Sequence, residues 1–223
     1  MGFSGFPMEA VMFYEGLAAD NSRVYWQANK PVYDRAVRAA MEGLLTELAD
    51  YGPFHVFRPN RDVRFAKDKT PYKDAIGAFG ESQGGAGYFV QFSAAGMLAG
   101  SGYYHMAADQ LERFRRAVDR DATGAEIDGI VADLEASGLQ ASAIDALKTA
   151  PRGYAKDHPR IALLRRKGLV ATRRWDQAKW MRTGAVVTRV RHTWAEAVAM
   201  SEWLDVHVGP STIPPDDASS WRR

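Results

Sequence analysis

The order in which hydrophobic periodicity changes along this chain constrains its fold most: helical spacing first, strand alternation in the middle, helical spacing again afterwards. A parallel α/β sheet needs a helix between consecutive strands, and no such alternation is present. The expectation is an α+β fold forming a single domain over residues 1–210, followed by a frayed tail over 211–223. A small antiparallel sheet with a hairpin packs against several helices, the last of them long.

Local patterns fill in that order. Residues 8–19 read as a helix behind Pro7, and Asp20, Asn21 and Ser22 offer cap oxygens for a turn running through Trp26. From Pro31, the residues Tyr33, Val37, Met41 (or Ala40), Leu44 and Leu48 recur at spacings of three and four, which predicts a helix ending at Gly52-Pro53. Residues 54–58 and 62–65 predict short strands broken by Pro59-Asn60, and Gly77, Gly80, Gly84, Gly85 and Gly87 predict a flexible stretch. Residues 88–93 and 97–104 predict a hairpin across Ala94-Ala95-Gly96. Leu111, Phe114 and Val118 define the next helix, Thr123 and Glu126 a capping box for another, and residues 141–149 a third. Residues 151–159 read as loop, 160–167 as a helical turn or two, 169–174 as a strand and 186–208 as one long helix.

Composition removes several chemistries. Of 223 residues 46% are hydrophobic and 25% charged, an ordinary globular balance, while Cys 0 excludes disulfides, thiolate nucleophiles, iron–sulfur clusters and cysteine-based zinc sites. His55, His105, His158, His192 and His207 show no paired ligand spacing, so no metal and no cofactor are expected. The first residues carry neither a basic nor an apolar leader region, and no run of about 18 apolar residues occurs. A cytoplasmic location with no membrane partner is the expectation.

The formal charge of +2 hides an uneven distribution. Residues 58–73 hold six basic and two acidic side chains, and residues 146–192 hold thirteen and two. Brought together, two such segments would attract phosphate, nucleic acid or an acidic metabolite.

The densest constellation is Arg58-Pro59-Asn60-Arg61-Asp62-Val63-Arg64-Phe65-Ala66-Lys67-Asp68-Lys69-Thr70-Pro71-Tyr72-Lys73. Guanidinium groups supply planar forks suited to carboxylate or phosphate, and lysines add compact charge. Read functionally, Arg61, Arg64, Lys67, Lys69 and Lys73 bind an anion, with Tyr72 as a wall or hydroxyl. Read structurally, Asp62 and Asp68 neutralise two of the bases and the rest are solvated. In the second segment Arg165, Arg166 and Lys167 precede Gly168, where cations suit a helix C-terminus. Trp175 and Trp180 lie among further arginines and could stack bases, although packing is favoured for large aromatics. Asp157 adjoins His158 but points to the opposite side of an extended loop, so it is a poor acid–base partner.

Three motif matches fail on context. Gly80-Glu81-Ser82-Gln83-Gly84 has nucleophile-elbow spacing but no helix can start in the glycines that follow. The cluster at 84–87 lacks the spacing and βαβ setting of a dinucleotide loop, and there is no Walker A sequence. Thr70-Pro71-Tyr72-Lys73 mimics Ser-x-x-Lys, but Pro71 breaks the turn that would join hydroxyl and amine.

Arg61-Asp62-Val63-Arg64-Phe65 followed by Lys67-Asp68-Lys69-Thr70-Pro71-Tyr72-Lys73 closely resembles the signature of a widespread bacterial family, domain of unknown function 2461. Asn21 with Trp26, Asn29 and Tyr33, Gly102-Tyr103-Tyr104, Pro151-Arg152-Gly153-Tyr154 and Asp157-His158-Pro159 agree with it, so the resemblance spans roughly residues 3–208. Gln27 after Trp26, and His105-Met106-Ala107-Ala108 after the hairpin, depart from the pattern. The resemblance implies a single α+β domain and carries no mechanism with it.

The favoured reading is a cytosolic protein that binds a phosphate- or carboxylate-bearing small molecule. In its enzymatic version Asp62, Asp68 or His158 supplies acid–base chemistry. A nucleic-acid-binding module using both basic segments is the runner-up, and an interaction protein docking an acidic partner is the third reading. What separates them is whether Arg61, Arg64 and Lys69 line a cleft, spread over an open face, or are consumed in internal ion pairs.

Overall fold

The computed structural model describes residues 2–64, 67–81 and 85–213. Helix α1 (Met8–Ala19) starts behind Pro7, and α2 (Arg23–Val32) is capped by Ser22, whose hydroxyl accepts the Tyr25 N–H at 3.1 Å. Pro31 does not end α2. Its missing N–H is absorbed because Tyr33–Arg38 widens into π-helical turns that lead into α3 (Ala39–Glu47), so one helical rod replaces the two expected segments.

Strands β1 (Phe54–Val56), β2 (Ala75–Glu81), β3 (Gly87–Ser93) and β4 (Gly96–Tyr103) follow, then α4 (Ala108–Asp119), α5 (Asp121–Ala136) and β5 (Gln140–Ser142). Helix α6 (Ile161–Leu164), β6 (Leu169–Asp176), α7 (Ala185–Glu196) and α8 (Val198–His207) complete the fold. All pairings are antiparallel, in the order β1-β2-β3-β4-β6-β5. The fold is α+β, as expected.

Five local expectations are corrected. Gly77 and Gly80 belong to β2: a Cβ at Gly80 would lie 2.7 Å from the Phe54 ring, so glycine there admits an aromatic neighbour rather than flexibility. Residues 62–64 form no strand. Residues 140–142 pair with β6 instead of opening a helix, and α5 starts at Asp121, leaving Thr123 inside it with its hydroxyl donating to the Ala117 carbonyl. The long C-terminal helix breaks at Ala197 (φ −86°, ψ 2°), which resets the buried stripe: Val198 is exposed and α8 buries Met200, Trp203 and Leu204. The expectations for Phe65, Gly84 and residues 214–223 lie outside the described residues.

Two apolar clusters sit side by side on a single face of the sheet. Ile76, Ala78, Val90, Phe92, Met97 and Ala99 pack against α1, α3 and α7, with Phe6 stacked on Phe92 at 4.0 Å. Leu169 and Ala171 of β6, with Tyr103, pack under α4, α5 and α8. Alternation along each strand turns the intervening residues to the other face. That second face has no helix over it among the described residues, and this exposure positions the site.

Candidate binding face and the basic loop

The basic motif closes on itself. Arg61 N–H donates to the Pro71 carbonyl and Lys73 N–H to the Pro59 carbonyl, both at 2.8 Å, around a bridge between Asn60 and Tyr72. Within the loop, Arg64 binds Asp62 through Nη2 (2.6 Å) and Nε (3.0 Å), Arg61 pairs with Asp68 and reaches Asp74 at 3.7 Å, and the Lys69 ammonium donates to the Val63 carbonyl at 2.8 Å. Asp62 also accepts the Arg64 backbone N–H and Asp68 that of Thr70, the two-residue spacing by which Asp side chains shape turns. Hydrogen bonding from Arg64 lowers the Asp62 pKa to about 2, and the Thr70 backbone N–H lowers that of Asp68.

Tyr72 faces the core. Its ring stacks on Trp26 at 4.3 Å, and the Asn21 side chain grips its backbone, Oδ1 accepting the N–H at 3.1 Å and Nδ2 donating to the carbonyl at 3.0 Å. Trp26 in turn packs against Tyr33. Four of the residues that carried the family resemblance, Asn21, Trp26, Tyr33 and Tyr72, therefore meet as one clamp holding the loop to α2. Lys73 reaches the open face, its ammonium 5.3 Å from the centre of the Phe57 ring. Burial, then Arg58 and Arg61, lower its pKa.

The second basic segment is dispersed. Arg160 donates to the Val118 carbonyl (2.7 Å) and the Asp119 carbonyl (3.1 Å) at the C-terminus of α4, Arg165 to the Leu147 carbonyl (2.6 Å), and Arg191 to the Glu47 carbonyl (2.6 Å). Arg173 forms a double pair with Glu196, and Arg189 lies over Trp180, which packs edge-on against Trp175. Residues 58–73 join β1 to β2, whereas β6 lies beyond β3 and β4. Among the described residues no hydrogen bond or ion pair links the two segments.

His158 is also built into the frame. Its Nδ1 accepts the Arg160 N–H at 3.0 Å and its Nε2 lies 3.2 Å from Asp119, a partner from α4 that sequence proximity could not suggest. Asp62, Asp68 and His158 stand in separate local networks. No cluster of metal-ligating side chains occurs among the described residues. Tyr103 and Tyr104 lie at the opposite end of the sheet from the Arg61 loop; the Tyr103 hydroxyl donates to Asp205 at 2.9 Å.

The open face carries what the motif does not. One cross-strand row runs through all six strands: His55, Phe79, Phe89, Gly100, Thr172 and Gln140, each in register with the next. The adjoining row reads Gly77, Gln91, Leu98 and Arg174, with Phe57 tilted against Phe89 at 6.3 Å. Gly87 and Gly102 pair in the next row. Where the rings give way to these glycines the face sinks into a groove of about 580 Å³, walled by Phe79, Phe89, Leu98, Val170, Tyr104 and Ile144. Thr172 and Gln140 also line it, and among the described residues Arg174 is the one charged residue in its lining. That volume suits a small organic ligand, and a mostly apolar lining with a few polar groups is what such sites share. The alternation of residues 77, 79, 89 and 91 was the available signal for this face, but apolar side chains at 88, 90 and 92 mask which face is covered.

The fold and this face define a two-layer α+β protein with an open-faced antiparallel sheet. The chain belongs to the family described as conserved hypothetical protein (DUF2461), whose model matches residues 9–203. No curated protein and no solved structure matches the chain. No helix among the described residues is long and apolar enough to cross a membrane.

Proposed function

We propose that this protein binds a small ligand bearing a flat apolar body and a phosphate or carboxylate, and that it does so in the open-face groove rather than on the basic loop. The observation that carries this reading is the meeting of the Phe89 ring, Gly100 with Thr172 beside it, and the guanidinium of Arg174 on adjoining rows of one open face. A flat body lies over Gly100 against Phe89, and the anionic group pairs with Arg174 through a bidentate fork. Thr172 and Gln140 supply hydrogen bonds at the ligand's edge. The loop is the poorer site, because Arg61 and Arg64 already hold carboxylates of the same loop and of Asp74.

Nuclear magnetic resonance titration of the isotope-labelled protein with phenyl phosphate tests the reading. Amide signals of Gly100, Gly102, Thr172 and Arg174 shift on titration while those of residues 58–64 stay in place. Shifts confined to residues 58–73 would return the anion site to the loop.

A further inference from the structure

The groove is one end of a longer surface. Beyond Phe89 the row continues outward through Phe79 to His55, with Phe57 beside it and the Lys73 ammonium over the Phe57 ring. Resting on the anion-binding reading above, we infer that the ligand is a single-stranded nucleic acid laid across the strands, its bases on Phe79 and Phe89 and its phosphates against Lys73 and Arg174.

Neighbouring strands lie about 4.8 Å apart, so rings on β1, β2 and β3 repeat at a spacing on the scale of successive stacked bases. Every base has a π-face, so a ladder of rings takes up single strands with little regard to sequence, and open antiparallel sheets with aromatics on adjacent strands serve RNA recognition in this way. Lys73 stands at the β1–β2 side and Arg174 on β6, three strand spacings or roughly 14 Å further on, a span that one phosphate does not bridge. A chain of phosphates does. The bases of a duplex are stacked on each other and cannot reach the rings. Asp176 is the carboxylate on the same face of β6, and its register partner Gly96 places it at the hairpin end, away from the rings.

Fluorescence anisotropy with a labelled oligothymidine of about ten nucleotides tests this against a duplex of the same length, the probe being sized within the range of single-strand sites. The oligothymidine binds and the duplex binds at least tenfold more weakly. Phe79→Leu and Phe89→Leu keep apolar bulk over the glycines but remove the rings, and each weakens binding by about fivefold or more, the lower range of stacking losses. Two neutralised phosphates make affinity fall about sevenfold between about 50 and 200 mM salt. Unfolding curves of the variants confirm that they fold. If phenyl phosphate binds through Arg174 and the oligothymidine does not, the nucleic-acid inference fails and the small-ligand reading stands; if neither binds, both fail. Oligothymidine affinity unchanged in both folded ring variants also overturns the inference.

Discussion

Phe89 on β3 stands in register with Gly100 on β4, so a ring borders a position with no side chain. The step between them makes the groove, and it exists because, among the described residues, every helix that packs on the sheet does so from the opposite side. A charge-dense motif drew attention in the sequence, yet Arg61, Arg64 and Lys69 spend their charge on partners within its own loop. The face that remains open is defined by aromatic rings, glycines and one arginine.

The Asp62 carboxyl is a direct readout of the loop's internal pairing. Its pKa falls from 3.8 to about 2 because Arg64 hydrogen bonds the ionised form. A lowered folded-state pKa contributes stability that is present above 3.8 and is lost as pH falls through about 2. Carboxyl titration by nuclear magnetic resonance gives a midpoint near about 2 in the wild type and one moved up toward 3.8 in Arg64→Gln. Equal midpoints in the two proteins would mean that the pair does not form in solution.

Asn21 serves stability. Truncation to alanine leaves the Tyr72 N–H and carbonyl without their partner beside the Trp26 stack. Asn21→Ala lowers the unfolding free energy by about 1–3 kcal/mol, the range for stranding part-buried polar groups, as measured in urea.

His158 and Asp119 separate in the same assay. His158 is largely buried and accepts a backbone N–H, so His158→Ala costs about 1 kcal/mol; Asp119→Asn, at an exposed carboxylate, stays within about 0.5 kcal/mol. Phenyl phosphate affinity is unchanged in both. Lost affinity at unchanged stability would restore His158 to the site.

Gly87 sets the position of a groove wall. A Cβ there would come 2.1 Å from Cε2 of Phe79, so Gly87→Ala forces that ring to swing and deforms the groove. Phenyl phosphate binding weakens about tenfold, equivalent to about 1.4 kcal/mol. Combining Gly87→Ala with Phe79→Ala relieves the clash, and the double variant is more stable than the additive loss of the two singles.

Much of the fold was legible where local chemistry and tertiary context agree. Pro7 and the 8–19 periodicity mark α1, and the hairpin turn at Ala94-Ala95 falls where alternation and Gly96, at φ 138°, require it. Pro31 and Gly77 misled because each is a breaker only when nothing compensates: π-helical turns absorb the first, and the close rings of Phe57 and Phe89 make use of the second. The C-terminal break at Ala197 has no punctuation in the sequence. The basic loop was legible as a unit and ambiguous in role, since pairing of Arg61 with Asp68 and Asp74 depends on how the loop closes. The groove was illegible for a different reason: its row draws one residue from each of six strands, a pattern that exists only once register is set.

The claim that the anion site lies on the open face and not in the loop is tested most directly by isothermal titration calorimetry with phenyl phosphate on wild type, Arg174→Gln and Arg64→Gln. Both replaced side chains are exposed, so all three proteins fold alike. The account predicts that Arg174→Gln weakens binding by at least about tenfold, the loss of one charge-assisted contact of about 1.4 kcal/mol or more, while Arg64→Gln binds as the wild type does. Binding abolished by Arg64→Gln and untouched by Arg174→Gln would contradict it.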